Sequence, residues 1–140
     1  MVTSSAARPR RSGCPISIAL ELLGDAWSLL IVRDLMFKER RTFNDFLTGG
    51  EGIASNILAD RLRKLEDAGI VVKRRDTQDA RRFVYRLTAK GIDLAPVLVE
   101  LVVWSARHET TDAPPPVVRA MRTDRTAFVA NVRKAWKESA

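Results

Sequence analysis

The chain has 140 residues, of which 46% are hydrophobic and 29% are charged, a balance typical of one globular domain. Lysine and arginine number 24 against 17 acidic residues, and the net charge of +7 favours an anionic partner such as nucleic acid. Because there is one cysteine, one histidine and no apolar run of about 18 residues, we expect a cytoplasmic protein without an internal disulfide, a metal, a cofactor, an enzymatic activity or a membrane span.

The beginning of the chain predicts a basic tail followed by two apolar helices. Residues 1–13 contain three arginines and no acidic residue, so we expect a flexible tail. A helix is predicted over residues 15–23, where the apolar residues recur at helical spacing and Gly24 supplies a C-terminal cap. Asp25 is expected to cap a second helix over residues 25–37.

The next segment has the pattern of a helix-turn-helix. Thr42 opens a short third helix, and Asp45 lies three residues later, at the spacing of a capping box. After the glycine-rich loop at 49–52, a helix is predicted over residues 54–68, and Gly69 ends it. Its inward stripe consists of Ile53, Ile57, Leu58, Leu62 and Leu65. Three helices with a glycine-containing turn before the last are typical of the motif.

The apolar period then changes from 3.6 residues to two, which predicts a β-hairpin with strands at residues 70–75 and 82–88. We call this hairpin, residues 70–88, the wing. A helix-turn-helix followed by a hairpin is the winged-helix arrangement, whose second motif helix enters the major groove of DNA. The expected fold class is therefore mainly α with a small β-hairpin (α+β), a winged helix-turn-helix.

Two further helical segments are predicted after the wing. A long apolar helix is expected from Thr88 to His108, with Pro96 either kinking it or marking its true first turn. The expected domains are the basic tail (1–13), a winged helix-turn-helix domain with dimerisation helices (14–110), and a stiff proline-rich linker with one C-terminal amphipathic helix (111–140).

The helix at 54–68 exposes residues that suit DNA. The face opposite its apolar stripe carries Ser55, Asn56, Ala59, Asp60, Arg63 and Lys64. Asn56 and Arg63 are expected to read base edges, because their hydrogen-bonding groups match adenine and guanine. Asp60 would repel phosphate unless it pairs with Arg63 or Lys64. The alternative interpretation is an ordinary solvated helix face.

The wing concentrates positive charge. Six cations stand against two acidic residues between positions 73 and 86. The cations expected to contact phosphate are Arg74, Arg75, Arg81 and Arg82. Arg41 and Thr42, just before the third helix, are expected to bind the DNA backbone as well. The alternative is an edge hairpin that charge protects from aggregation.

The first and the long predicted helices carry more apolar residues than a small three-helix core can bury. Packing against a second copy is expected to place the two recognition helices, residues 54–68 of each copy, about one turn of DNA apart on a pseudo-palindrome. The expected interface residues are Ile16, Leu20, Leu23, Leu94, Leu98, Leu101 and Trp104. Burial within one chain by the C-terminal helix is the alternative.

Three segments together resemble the HxlR-type winged-helix transcriptional regulators. They are 14–47 (CPISIALELLGDAWSLLIVRDLMFKERRTFNDFL), 52–71 (GIASNILADRLRKLEDAGIV) and 85–91 (YRLTAKG), followed by a helix with Trp104. The resemblance implies a homodimeric DNA-binding regulator whose helices 16–23 and 88–108 form the dimer. It also implies DNA contacts from the wing arginines and from Ser55, Asn56, Ala59, Asp60 and Arg63.

The chain departs from the family pattern in three places. Ala54 stands where the family has a serine, so capping is expected to move to Ser55. The wing segment DTQDARR lacks the family's proline and is similar to the wing of MarR-type regulators, where an aspartate and an arginine hold the hairpin together. Residues 112–140 extend beyond the common core, and the resemblance implies nothing about them.

Cys14 is the one residue suited to covalent chemistry. It lies before a helix N-terminus and beside the arginine-rich tail, a setting that favours a reactive thiolate. Some HxlR-type proteins sense oxidants or electrophiles through a cysteine at the matching place, so the resemblance implies redox sensing here. The alternative is a small residue that packs near the dimer interface.

We therefore expect a homodimeric, sequence-specific repressor that binds double-stranded DNA at a pseudo-palindromic operator and responds to an oxidant, an electrophile or a small ligand. Two other classes stay open at this point. One is a winged-helix interaction module that docks on an acidic protein partner, and the other is a redox protein that uses Cys14. The MarR-like wing also keeps open a regulator that responds to a small aromatic ligand.

Overall fold

The computed structural model describes residues 9–139. Its elements are α1 (Pro15–Leu23), α2 (Ser28–Phe37), α3 (Phe43–Leu47), α4 (Ser55–Asp67), β1 (Val71–Arg75), β2 (Phe83–Leu87), α5 (Ala89–Ile92), α6 (Ala95–His108), α7 (Pro115–Thr123) and α8 (Arg125–Glu138). They form two compact units, one ending at Gly91 and one beginning at Ile92. The domain boundaries expected near residues 13 and 110 stay predictions. The first eight residues of the expected tail lie outside the described residues.

Within the described range no single helix is both long and apolar enough to cross a membrane. Only α1 and α2 taken together reach that length and composition, and they are bent by 80° at the break between them.

The expected fold class is confirmed: residues 9–139 form eight helices and one antiparallel hairpin, with Val71 opposite Leu87 and Arg75 opposite Phe83. The predicted capping box at the start of α3 is also present. The Thr42 hydroxyl accepts the Asp45 N–H at 3.1 Å, and the Asp45 carboxylate accepts the Thr42 N–H at 3.1 Å.

Two helices begin differently from expectation. α2 starts at Ser28, three residues late, because Asp25 acts from outside the helix. Its Oδ1 accepts the N–H groups of Trp27 and Ser28 at 2.7 and 2.9 Å, which satisfies donors that have no partner inside the helix. α4 follows Ala54 directly and no side chain caps it, so the expected shift of capping to Ser55 is wrong.

Gly69 sets the turn from α4 into the wing. It has a φ of 76°, a conformation that glycine adopts without strain. The Gly69 N–H donates to the Glu66 carbonyl at 3.0 Å. The Ile70 N–H donates to the Leu65 carbonyl at 2.9 Å, which completes a Schellman ending. The predicted stop is therefore confirmed, and β1 begins immediately after it.

The first unit has its own apolar core. The buried apolar residues are Ile31, Val32, Phe46, Ile53, Leu58, Leu62, Leu65, Ile70, Val71 and Leu87. The rings of Phe46 and Tyr85 meet edge to face at 5.9 Å, so α3 packs against β2. This core holds α4 and the wing as one body.

The prediction of one continuous helix over 88–108 is wrong, because the chain forms α5 and then α6. Gly91 in α5 passes so close to β1 that a Cβ there would lie 2.2 Å from the Ile70 carbonyl oxygen. Pro96 lies in the first turn of α6, where a missing N–H costs nothing, so the second of its two expected positions is the observed one.

The single C-terminal helix is also a wrong expectation. Pro115 and Pro116 belong to the first turn of α7 rather than to a linker. The chain then breaks at Asp124, whose φ of −144° and ψ of 56° are not helical, before α8 begins.

α6 has two apolar faces with different fates. Val99 and Val103 are buried with Met121 of α7, and Phe128 and Val129 of α8 pack against this cluster. C-terminal helices thus cover one face, as the alternative interpretation held. A second face stays exposed and consists of Val97, Leu101 and Trp104. Leu98 was expected at the dimer interface, but it is only 6% exposed because it packs inside the chain.

Candidate nucleic-acid interface

α4 presents the predicted polar face to solvent. Leu58, Leu62 and Leu65 point into the core. The exposed residues of the opposite face are Ser55, Asn56, Ala59, Arg63 and Lys64, and Asp60 is half-buried. Among the described residues the Asn56 amide has no hydrogen-bond partner, so its donor and acceptor are both open. The arrangement can supply a bidentate contact to a base edge.

Asp60 lies among three cations. Its carboxylate contacts Arg61 and Arg63, each at 2.5 Å. Lys64 approaches to 3.3 Å, and its hydrogen bond is the largest cause that holds the pKa of Asp60 below its usual range. The carboxylate is therefore ionised and paired, which meets the condition under which it does not repel phosphate. The cluster as a whole stays positive.

Arg61 was missed as a positioning residue. Besides Asp60, its Nε reaches the Asp25 carboxylate at 3.2 Å, and Asp25 in turn accepts the Ser28 hydroxyl. Burial raises the pKa of Asp25, but the hydrogen bonds from Ser28, Trp27 and Arg61 outweigh it and leave that pKa lowered. This chain of contacts ties α4 to the start of α2. The only sequence signal for it is a pair of opposite charges far apart.

A second missed cluster surrounds Asp34, which is buried in α2. Its carboxylate accepts hydrogen bonds from Arg33 at 2.7 Å and from Arg40 at 3.1 Å. Arg33 also binds Glu51, in the loop before α4, at 2.7 Å. These contacts attach the loop of the helix-turn-helix to α2 and so help to position α4.

The strands of the wing hold their cations in two ways. The Lys73 ammonium and the Arg75 guanidinium lie 4.7 and 4.9 Å from the centre of the Phe83 ring, as cation–π contacts. Arg75 also donates to the Ala80 carbonyl at 2.7 Å. Arg74 is exposed and has no ion-pair partner within residues 9–139. Arg74 is therefore the strand cation most available to an anion.

The connector of the wing is built around Asp76. Its Oδ1 accepts the Gln78 N–H at 3.0 Å, and Arg82 donates to its Oδ2 at 2.5 Å. These two bonds, in that order, lower the pKa of Asp76. The predicted aspartate–arginine clasp is therefore confirmed. Arg82 is occupied in holding the loop, and its expected phosphate contact stays a prediction.

Arg81 is held far less tightly. It pairs with Asp79 at 3.1 Å, but its side chain is 92% exposed. An ion pair so open to water contributes little, so Arg81 can exchange Asp79 for a phosphate.

The segment before α3 joins the other side of the wing. The Tyr85 N–H of β2 donates to the Arg41 carbonyl at 2.7 Å. Burial lowers the pKa of Arg86, and the neighbouring charges of Arg74 and Arg41 lower it further. The guanidinium groups of Arg41, Arg74 and Arg86 therefore influence one another, and Arg41 directly precedes Thr42, the N-cap of α3. The backbone bond from Tyr85 holds Arg41 next to the wing, and the expected DNA contacts of Arg41 and Thr42 stay predictions.

Cys14 is exposed, is not part of a disulfide, and precedes α1 as its N-cap. Its N–H donates to the Ser12 hydroxyl at 3.2 Å. Arg11 is attached to α1 beside it, because its N–H donates to Glu21 at 3.0 Å. The thiol is therefore open to reagents in solution.

Comparison with protein families decides the classification. The family model of HxlR-like helix-turn-helix proteins matches residues 22–113, which include α2 to α6 and the wing. The chain belongs to the HxlR-like helix-turn-helix family. It is a transcriptional regulator with the DNA-binding helix-turn-helix fold, and α7 and α8 lie beyond the family match.

Relatives and solved structures agree with this assignment. An HTH-type transcriptional regulator of Mycobacterium tuberculosis is 36% identical over 108 residues, which are 77% of this chain and 67% of the relative. PA1607, described as a transcription factor, superposes with a TM-score of 0.67 at 36% identity, over 75% of this chain and 72% of PA1607. The reduced form of YodB from Bacillus subtilis gives 0.57 at 30% identity, over 69% and 95%. Structures of diamide-treated and quinone-bound YodB match this HxlR-like chain with TM-scores of 0.53 and 0.54.

Proposed function

We propose that this HxlR-like regulator is a homodimeric repressor that binds a pseudo-palindromic operator in double-stranded DNA. The observation that carries the proposal is the open Asn56 amide on the exposed face of α4, next to a wing with six cations and two acidic residues. The helix provides hydrogen bonds to base edges and the wing provides charge for phosphates. Occupancy of a site that overlaps a promoter suffices for repression.

The proposed contacts divide by the chemistry and the existing partners of each side chain. Asn56 and Arg63 read base edges, and Ala59 leaves room for a thymine methyl group. The residues that bind phosphate directly are Arg41, Thr42, Ser55, Lys64, Arg74 and Arg81. Arg75 and Arg82 act mainly by shaping the wing, because each already bonds within it. Asp60 keeps Arg63 extended along α4 until a base replaces it.

The dimer is supported by apolar side chains that stay exposed in each unit. On α1 Ile16 and Leu20 are 71% and 56% exposed. On α6 Leu101 and Trp104 are exposed one turn apart. Burial of such side chains against a second copy removes large apolar area from water. A two-fold dimer then binds two half-sites of opposite orientation.

Oxidation of Cys14 is the proposed signal. Two thiols, one from each copy, lose two electrons and two protons to an oxidant such as diamide and form one S–S bond, while diamide is reduced to its hydrazine form. The exposure of Cys14 supports the proposal, as do the reduced and diamide-treated forms of YodB.

The first experiment is a gel shift with the upstream region of the gene, at near-physiological salt and with excess non-specific competitor. We expect a retained complex and a footprint over an inverted repeat. Loss of all binding to competitor, followed by failure of genome-wide site selection, would favour the interaction-module alternative. Diamide should release the DNA from the parent chain and leave a Cys14→Ser variant bound. Release of both would assign the response to something other than Cys14.

Sedimentation velocity tests the dimer. The double variant Leu101→Glu with Trp104→Glu should sediment as a monomer, whereas Val117→Glu, at an exposed apolar residue of α7, should stay dimeric. A double variant that stays dimeric and binds the operator as the parent does would contradict the α6 interface.

A further inference from the structure

A cavity of about 480 Å³, open to solvent and lined largely by exposed residues, lies between the C-terminal end of α6, the loop after it, and α7. It is lined by Ala106, Glu109, Thr111, Ala113, Pro115, Val118, Arg119, Arg122 and Thr123. All of these residues belong to the second compact unit. The volume is in the range of small-molecule sites, and the α7 side of the cavity lies beyond the family match.

The lining combines an apolar surface with concentrated positive charge. Ala106, Pro115 and Val118 contribute hydrocarbon, and Val118 is buried. Arg119 and Arg122 are three residues apart, so they project from the same side of α7. Within the described range neither guanidinium has an ion-pair partner, whereas Arg125 on the next helix is paired with Glu100.

The charges of the lining indicate the class of ligand. Two guanidinium groups and the Glu109 carboxylate leave a net charge of +1, which suits a single anionic group. Arginine binds carboxylates and related oxyanions through parallel N–H bonds. The helix start cannot replace these donors, because Pro115 and Pro116 have no N–H. Thr111 and Thr123 add hydroxyl groups at the edge of the cavity.

We propose that this cavity binds a small organic monoanion, with an apolar body against Ala106 and Val118 and an oxyanion group on Arg119 and Arg122. The further step, that the ligand controls DNA binding, rests on the proposed function. Ala106 lies two residues from Trp104 on α6, so an occupant braces the helix that carries the proposed dimer contact. Ligand and operator then influence each other's affinity through the same helix.

The test uses the full chain and isothermal titration calorimetry with 2-naphthoate, and with 2-naphthamide as a neutral probe of the same shape. We expect one naphthoate to bind per chain. The affinity for the amide should be about tenfold lower than the affinity for naphthoate. The double variant Arg119→Gln with Arg122→Gln should lose naphthoate affinity by a similar factor. The matched control Lys134→Gln with Lys137→Gln removes the same charge from exposed residues of α8 and should bind as the parent does.

A second variant, Ala113→Trp, fills the cavity without changing its charge and should abolish binding. Three results would each overturn the proposal. They are failure of naphthoate to saturate the parent in the millimolar range, equal affinity of the parent for naphthoate and the amide, and equal losses of affinity in both double variants. Operator binding is measured separately by gel shift with and without naphthoate. A chain that binds naphthoate but no operator keeps the ligand site and overturns the proposed function, and the reverse result overturns the site alone.

Discussion

Helix α4 and the wing distribute their charges in opposite ways. On α4 one carboxylate, Asp60, holds Arg61, Arg63 and Lys64 together, so the cations of this face are already engaged. On the wing six cations stand against two carboxylates, and both carboxylates lie in the connector. Phosphate contacts carry no sequence information and hydrogen bonds to base edges do, so the surplus charge of the wing attracts any duplex. We therefore propose that α4 determines sequence preference and that the wing supplies general affinity for duplex DNA.

The largest expected effect comes from removing surplus charge from the wing. Arg74→Gln with Arg81→Gln should weaken binding about 10- to 100-fold for operator and scrambled duplex alike, because each lost phosphate contact removes about 0.9 from the salt slope. Fluorescence anisotropy across a salt series measures both quantities. The α8 variant Lys134→Gln with Lys137→Gln is the matched control. A similar loss in the control would mean that net charge, rather than the wing, determines affinity.

Asn56→Ala should act on α4 alone. Loss of a bidentate base contact is worth about 1–3 kcal/mol, so the operator should bind about tenfold more weakly while scrambled duplex binds as before. Competition between the two duplexes gives this ratio directly. A uniform loss on both would place Asn56 at a phosphate and weaken the comparison.

Asp60→Asn should give α4 unpaired positive charge of the kind that the wing carries. Without the carboxylate, Arg63 and Lys64 become surplus charge, so binding to scrambled duplex should tighten by a few-fold and the preference for the operator should shrink. Asp67→Asn, an exposed position at the end of the same helix, controls for the change in net charge. Equal effects at both positions would contradict a special role for Asp60.

The smallest expected effect separates two arginines within the wing. Arg82→Gln should lower the Tm at neutral pH by a few degrees at most, whereas Arg81→Gln should not change it, because its side chain is almost fully exposed. The pKa of Asp76 is lowered in the folded chain. The contribution of the Asp76–Arg82 pair to the free energy of unfolding is therefore present above pH 3.8, the ordinary pKa of Asp76. It is lost as the pH falls through the lowered pKa. Circular dichroism melts should show the Arg82→Gln difference closing as the pH falls below 3.8. A difference that persists in acid would exclude the clasp as its cause.

Local patterns in the sequence account for most of the first unit. The apolar stripe of α4, the Gly69 stop and the change of period into the wing are properties of neighbouring residues, and the structure confirms each. The capping box at Thr42 and Asp45 was predictable for the same reason. Helix ends that depend on distant contacts were not predictable. Pro96 indicated the first turn of α6 as one of two possibilities, but periodicity carries no information about the close approach of Gly91 to the Ile70 carbonyl that accompanies the separation of α5 from α6.

The candidate site shows the same division. The exposed face of α4 follows directly from its buried face, so its members could be named from sequence. The Arg61–Asp25 contact joins residues 36 positions apart and leaves no local pattern. Asp124 is a polar residue within an amphipathic pattern that continues on both sides, so the break between α7 and α8 could not be recognised from periodicity. The cavity beside α7 could not be predicted either, because the sequence pattern did not show that α7 is a separate helix.

The hydrogen bond from Tyr85 to the Arg41 carbonyl has a mechanical consequence. It links the wing directly to the start of α3 and so restricts movement of the two basic elements relative to each other. Phosphates that contact both must adopt the spacing that the protein offers, and a duplex pays a bending or groove-narrowing energy when its own spacing differs. Base steps that no side chain touches would then influence affinity through their stiffness.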